Sequence, residues 1–176
     1  MGRGLRSMEV IDDFLDSSQF ESIYDFMVGD EMPWYFNPYV DYAIGDYRFI
    51  DDPDNYQFVH NFYTIGKGTR SYLLSTLAPI IEKINCNRLL RVKSNLNPRT
   101  PKHIKRNFHT DSDTTWNKHK TSILYINTNN GWTEFEDGSK VNSVSNRMVI
   151  FDGHIRHAGV TCTDEKARIL INFNYE

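Results

Sequence analysis

Cysteine is scarce in this chain. Among 176 residues there are two, Cys86 and Cys162, far apart and in no C-x-x-C pair. That argues against the common structural zinc sites. It also argues against a small secreted domain stapled by disulfides, and favours a reducing, cytoplasmic setting. One bridge between the two thiols stays open at this stage. Long apolar runs are missing as well. No stretch approaches the ~20 residues that a membrane helix needs, so no membrane partner is expected. Residues 1–7 are short and basic, without the apolar centre of a signal peptide. They read as a leader, a cloning scar or an upstream start ahead of Met8, and the domain is taken as 8–176. A charge excess of one sign is also lacking: 20 Lys and Arg stand against 23 Asp and Glu, a net charge of -3. Nothing global announces a nucleic-acid partner, and nothing rules one out. No internal repeat, low-complexity segment or linker is visible.

What is present suits one globular domain with a real core: 39% hydrophobic residues, 24% charged and 14% aromatic. Ser18 and Glu21 form an S-x-x-E capping box. Phe20, Ile23, Tyr24 and Met27 follow at helical spacing, and the helix should end near Gly29. Residues 33–63, rich in Tyr, Phe, Pro and Asp, read as irregular strands and loops. A second helix is expected over 71–85, with Leu73, Leu74, Leu77, Ile80, Ile81 and Ile84 on one face. Pro79 interrupts it, so it is kinked or starts later.

From Asn87 the pattern changes to short apolar runs parted by Gly, Asn, Asp and Thr. Leu89–Val92, Ser122–Ile126, Trp132–Phe135, Met148–Phe151 and Ile169–Phe173 read as strands, and Asp137-Gly138 as a hairpin turn. Helices first and strands later point to an α+β, mainly β fold. The expected architecture is a jelly roll (a double-stranded β-helix) over about 87–176, supported by the N-terminal helices.

His109-Thr110-Asp111 is an H-x-D triplet. On a strand, residues i and i+2 share a face, so both side chains can reach one ion. An imidazole with a carboxylate suits iron(II) better than calcium. A second histidine must complete the triangle. His154 and His157 are the candidates. His157 is the better one, because it opens an apparent strand and Ala158-Gly159 behind it allows close backbone approach. His154 sits in a glycine-containing turn. Arg168 opens a further apolar strand, Arg168–Tyr175. It is either an edge arginine paired with Glu165 or a guanidinium that grips a carboxylate at two points.

With His109, Asp111, His157 and Arg168 in that order, the chain resembles the 2-oxoglutarate/iron(II) oxygenases. The resemblance is nearest to the compact prolyl 4-hydroxylase-like branch of bacteria and phages. It covers 87–176 well and the first half loosely. It implies Fe(II) on His109, Asp111 and His157, and 2-oxoglutarate as cosubstrate with its distal carboxylate on Arg168. Tyr125 matches a tyrosine that reaches the same carboxylate; the plain alternative is a core tyrosine. Asn95 falls where the family often has a tyrosine contact, a departure from its pattern. Asn172, four residues after Arg168, shares its strand face. Gly131–Phe135 resembles the glycine-led strand over the site, with Thr133 and Phe135 inward. The implied reaction is hydroxylation of an unactivated C–H bond by O2, coupled to decarboxylation of 2-oxoglutarate to succinate and CO2, with ascorbate as an auxiliary reductant.

The substrate is less legible. A protein or peptide residue such as proline is favoured. A small molecule or nucleobase is the alternative, and a non-catalytic jelly-roll binding module is a third reading. The basic stretch 97–106 is either a solvated loop or an anion-attracting rim. Trp116 is a lid residue or a packed surface aromatic. Asp41 to Asp54 is the other rim or a solubilising loop.

Overall fold

Asp16 starts the first helix, α1 (Ser17–Val28), in the computed structural model. Its Oδ1 accepts from the Gln19 N–H at 2.9 Å and from Ser18 Oγ at 2.9 Å. The cap therefore lies two residues before the expected Ser18 box. A carboxylate there satisfies a free N–H and faces the positive end of the helix. Phe20, Ile23 and Met27 are buried, whereas Tyr24 lies at the exposed edge. Gly29 closes the helix, as expected. Pro79 decides the second helical segment. Tyr72–Leu77 form a 3-10 turn, and α2 runs only over Ala78–Ile84, with the proline in its first turn, where its missing N–H costs nothing.

The structure describes residues 8–40, 53–69, 71–111, 116 and 118–176. The stretch from Asp41 to Asp54 thus lies outside the described residues, save for 53 and 54. Among the described residues the strands are β1 (Met8–Ile11), β2 (Tyr35–Asn37), β3 (Gln57–Thr64), β4 (Gly68–Thr69), β5 (Leu89–Pro98), β6 (Lys120–Tyr125), β7 (Trp132–Phe135), β8 (Lys140–Asn142), β9 (Arg147–Asp152), β10 (His157–Val160) and β11 (Ala167–Tyr175). The larger sheet has the order β1-β9-β6-β11-β5-β3-β2, with β4 on β3, and the smaller has β10-β7-β8. All these pairs are antiparallel. The fold is mainly β with two helices, and the two sheets make the expected jelly roll.

The first half of the chain does more than support it. β1 extends one edge of the larger sheet, and β2 and β3 extend the other. The basic segment before the H-x-D also differs from a solvated loop. Arg106 N–H donates to Gly159 O at 2.9 Å, and His109 and His157 exchange backbone bonds at 3.0 and 2.9 Å. This segment is an irregular fourth strand of the smaller sheet, and His109 sits in an isolated bridge rather than a regular strand. The turn at Asp137-Gly138 joins β7 to β8, with Gly138 at φ 87°. Cys86 and Cys162 are both free thiols.

Strand alternation sorts the larger sheet into two faces. Ile169, Ile171 and Phe173 of β11, with Val92 of β5 and Leu124 of β6, pack against the helices. Ile123, Tyr125, Val149 and Leu170 face the other way, onto Phe135 and Val141 of the smaller sheet. Asn146 pins the N-terminal segment to this core. It lies at φ 61°, its Oδ1 accepts from Leu15 N–H at 3.0 Å, and its Nδ2 donates to Leu15 O at 2.8 Å. Asn146→Ala loses both bonds and strains the left-handed backbone, at a cost of about 3 kcal/mol. Asn146→Gly loses the bonds without the strain. Denaturant unfolding should therefore find Gly milder than Ala here; Ala milder than Gly would contradict this account.

Candidate metal centre and anion cavity

His109, Asp111 and His157 come together, with one ligand atom of each within 4.8 Å of the others. The two backbone bonds between His109 and His157 bring their rings to 4.7 Å. Each imidazole is held from behind by a carbonyl near in sequence. His109 Nδ1 lies 3.1 Å from Asn107 O, and His157 Nδ1 lies 3.2 Å from Ile155 O. Those bonds place the proton on Nδ1 and leave each Nε2 lone pair for an ion, the usual support for a metal-binding histidine. Burial pushes His157 below the usual histidine range, although Asp111 works against it, so the ring is kept neutral.

Asp111 shows the same division of labour. Its Oδ1 accepts from Arg91 Nη2 at 2.9 Å. Its Oδ2 is buried with no hydrogen-bond partner and lies 3.7 Å from His157 Nε2, too far for a hydrogen bond. Burial alone would raise this carboxyl. The Arg91 guanidinium, with His157 and His109, outweighs it and holds Asp111 well below the usual carboxylate range. An ionised, buried oxygen without a donor is what a bound cation would satisfy. The donor set, two imidazoles and one carboxylate on one triangular face, fits iron(II).

Arg91 was not singled out from sequence. It stands opposite Asn174 in the β5–β11 register, and its Nε donates to Asn174 Oδ1 at 3.0 Å. Asn174 in turn donates to Thr121 Oγ1 at 2.9 Å. Asp111 is thus tied through Arg91 to the buried centre of the larger sheet. The readable signal was the alternation Leu90-Arg91-Val92-Lys93-Ser94-Asn95, a strand with one apolar and one cationic face. Trp116, buried, lies with its ring 5.9 Å from the Arg91 guanidinium and lines the same cavity, so it is not a surface aromatic.

That cavity holds about 510 Å³ and has Arg168 at its far end. Arg168 is 3% exposed. Its Nε donates to Ser143 Oγ at 2.8 Å and its Nη2 to Thr133 Oγ1 at 2.9 Å. Thr133 Oγ1 also accepts from Tyr125 OH at 2.8 Å, and the guanidinium lies over the Tyr125 ring at 5.4 Å. Glu165 does not pair with it, and no carboxylate among the described residues does. Burial works against the charge of Arg168 and raises the Tyr125 phenol, which stays a neutral donor. Gly131 is required here: a Cβ on it would lie 2.8 Å from Arg168 Cδ and 2.8 Å from Val160 O. Gly159 leaves open the space beside Arg168 Nη1. Asn95 and Asn172 both line the cavity; Asn95 donates to Gln57 Oε1 at 2.9 Å, and its own Oδ1 is buried without a partner.

His154 is exposed, its ring 5.4 Å from His119, and it is not among the clustered ligands. Calorimetric titration with Co(II) should show one site that His157→Ala abolishes and His154→Ala leaves intact. The opposite pattern would move the third ligand.

No protein-family model matches this sequence, and no curated protein matches it. Solved structures do. An oxidoreductase of the 2OG-Fe(II) oxygenase family from Burkholderia pseudomallei aligns with a TM-score of 0.65 at 9% identity, over 96% of this chain and 84% of that one. A prolyl hydroxylase from Trichoplax adhaerens, in complex with a hypoxia inducible factor peptide fragment, gives 0.61 at 14% identity over 97% and 84%. The non-heme α-ketoglutarate dependent epimerase SnoN from nogalamycin biosynthesis gives 0.64 at 13% identity over 97% and 76%. No helix among the described residues is long and apolar enough to cross a membrane. This chain therefore has the jelly-roll fold of the 2-oxoglutarate/iron(II) oxygenases, prolyl hydroxylases included, and carries a candidate His-x-Asp…His triad at the heart of it.

Proposed function

We propose that the protein is an iron(II)- and 2-oxoglutarate-dependent oxygenase that hydroxylates an unactivated C–H bond. One observation carries this reading: a buried arginine with no carboxylate partner among the described residues shares a cavity with a three-ligand cluster whose carboxylate has an unpaired oxygen. Iron(II), when bound, supplies the means to activate O2 and decarboxylate 2-oxoglutarate to succinate and CO2.

The rest is the work of this chain. His109 Nε2, His157 Nε2 and Asp111 Oδ2 would hold the ion on one face and leave the opposite positions open. Arg91 keeps Asp111 ionised and occupies its second oxygen, so the carboxylate offers one oxygen to the ion. Arg168 would take the distal carboxylate of 2-oxoglutarate through Nη1, its Nε and Nη2 being fixed by Ser143 and Thr133. Tyr125, which gives its phenol proton to the same Thr133 hydroxyl and stays neutral, would serve the anchor by fixing that hydroxyl. Asn95 and Asn172 would flank the cosubstrate. Ile123, Val160 and Leu170 are among the apolar residues of the cavity wall and limit water.

For the primary substrate, a protein or peptide residue such as proline is the first candidate, on the likeness to the peptide-bound prolyl hydroxylase from Trichoplax. The likeness to the SnoN epimerase supports a small molecule as the second. A mass-spectrometric screen for one added oxygen on peptides and metabolites separates them.

Succinate formation coupled to oxygen uptake tests the enzyme reading. Wild type should convert 2-oxoglutarate slowly even without primary substrate, and His109→Ala should lose all of it. Turnover unchanged in His109→Ala would refute the reading. Arg168→Ala should weaken 2-oxoglutarate binding about 10- to 100-fold, the value of a hydrogen bond to a charged group, while Co(II) affinity is kept. An unchanged affinity would show that the anchor lies elsewhere.

A further inference from the structure

The charge lining the cavity is one-sided. Lys67, Arg91, Lys93, Arg106 and Arg168 line it, and among the described residues Asp111 is the one acid that does. Asp111 is already committed to Arg91 on one oxygen and faces His157 with the other. Lys93 is left over. It projects from the cavity face of β5, between Arg91 and Asn95. Its register neighbours are Asn61 on β3 and Asn172 on β11, amides that carry no charge. The Lys93 side chain makes no hydrogen bond or ion pair among the described residues.

Lys93 is half-buried, and holding an ammonium there without a counter-ion carries a cost that partial exposure reduces. Burial, and Arg91 beside it, push the Lys93 ammonium below the usual lysine range, with Asp111 a weaker influence the other way. The cosubstrate does not remove this cost at the Arg168 end. Arg168 pairs in register with Asn97, four residues along β5 from Lys93, or roughly 13 Å of strand. Beyond Lys93 the wall passes to Asn61 and Thr64 of β3, which bond each other at 3.1 Å, and to Lys67. This arm of the cavity is polar and cationic and lies away from Arg168.

We propose that Lys93 binds an anionic group of the primary substrate, so that the substrate carries a carboxylate or phosphate near the carbon that reacts. The proposal rests on the oxygenase reading above. Charge pairing with Lys93 selects the substrate and fixes its depth, a role separate from the Arg168 anchor.

The test uses the full chain loaded with Zn(II) and saturated with 2-oxoglutarate, probed by ligand-observed saturation-transfer NMR. The probes are benzoate and benzamide, alike in shape and different in charge. Wild type should bind benzoate and not benzamide. Lys93→Met should weaken benzoate at least tenfold, Lys93→Arg should retain it, and both variants should bind 2-oxoglutarate as wild type does. Equal binding of benzoate and benzamide, no benzoate binding, or benzoate binding unchanged in Lys93→Met would overturn the proposal. A loss of 2-oxoglutarate affinity in Lys93→Met would overturn it too, and assign the lysine to the cosubstrate. Failure of wild type to bind Zn(II) or 2-oxoglutarate would instead overturn the oxygenase reading beneath it.

Discussion

Pairing of β5 with β11, from Ala167↔Pro98 to Asn174↔Arg91 in unbroken register, is the constraint on which the molecule turns. Each strand shows the helices an apolar face and the smaller sheet a polar one. A slip of one residue would exchange the two faces. Ile171 and Phe173 would then leave the helix core, and Arg168 and Asn174 would enter it. Stability and site geometry are therefore fixed by the same register.

Electrostatics finish what the register begins. The polar face is an arrangement of buried and half-buried charges that do not cancel internally among the described residues. Asp111 is neutralised on one oxygen by Arg91, and the other oxygen is left bare. Arg168 is braced by hydroxyls rather than by an acid, and Lys93 has amides for neighbours. Buried charges of this kind are expensive in an empty cavity and become favourable when a cation and an anion enter together. The two hydroxyls on Arg168 serve orientation. They fix two donor positions, while Gly159 keeps the third approachable.

Much of this was legible in the sequence. The strand positions after Asn87 were set by short apolar runs between turn residues, and the triad by residue type and spacing. Arg168 stood out as a charge at the head of an apolar strand. The first half was harder to read. β3 carries Gln57, Asn61 and Thr64 among aromatics, because one of its faces lines a polar cavity, and that composition hid a strand of eight residues. The segment before His109 bonds β10 through backbone groups, which leave no side-chain pattern. Asp16 holds the helix cap in place of Ser18, since both residue types can cap and their local spacing does not separate them. Arg91 needed the register with Asn174, a long-range fact that no local pattern carries.

The central claim is that one cavity holds iron(II) and 2-oxoglutarate together. The most direct measurement is an anaerobic titration of the Fe(II)-loaded protein with 2-oxoglutarate, followed by visible absorption. An iron(II) ion chelated by a 2-oxo acid gains a charge-transfer band that neither component has alone. The account predicts that the band grows to saturation at one equivalent of 2-oxoglutarate per bound iron. Tight iron binding with no band at saturating 2-oxoglutarate would contradict it.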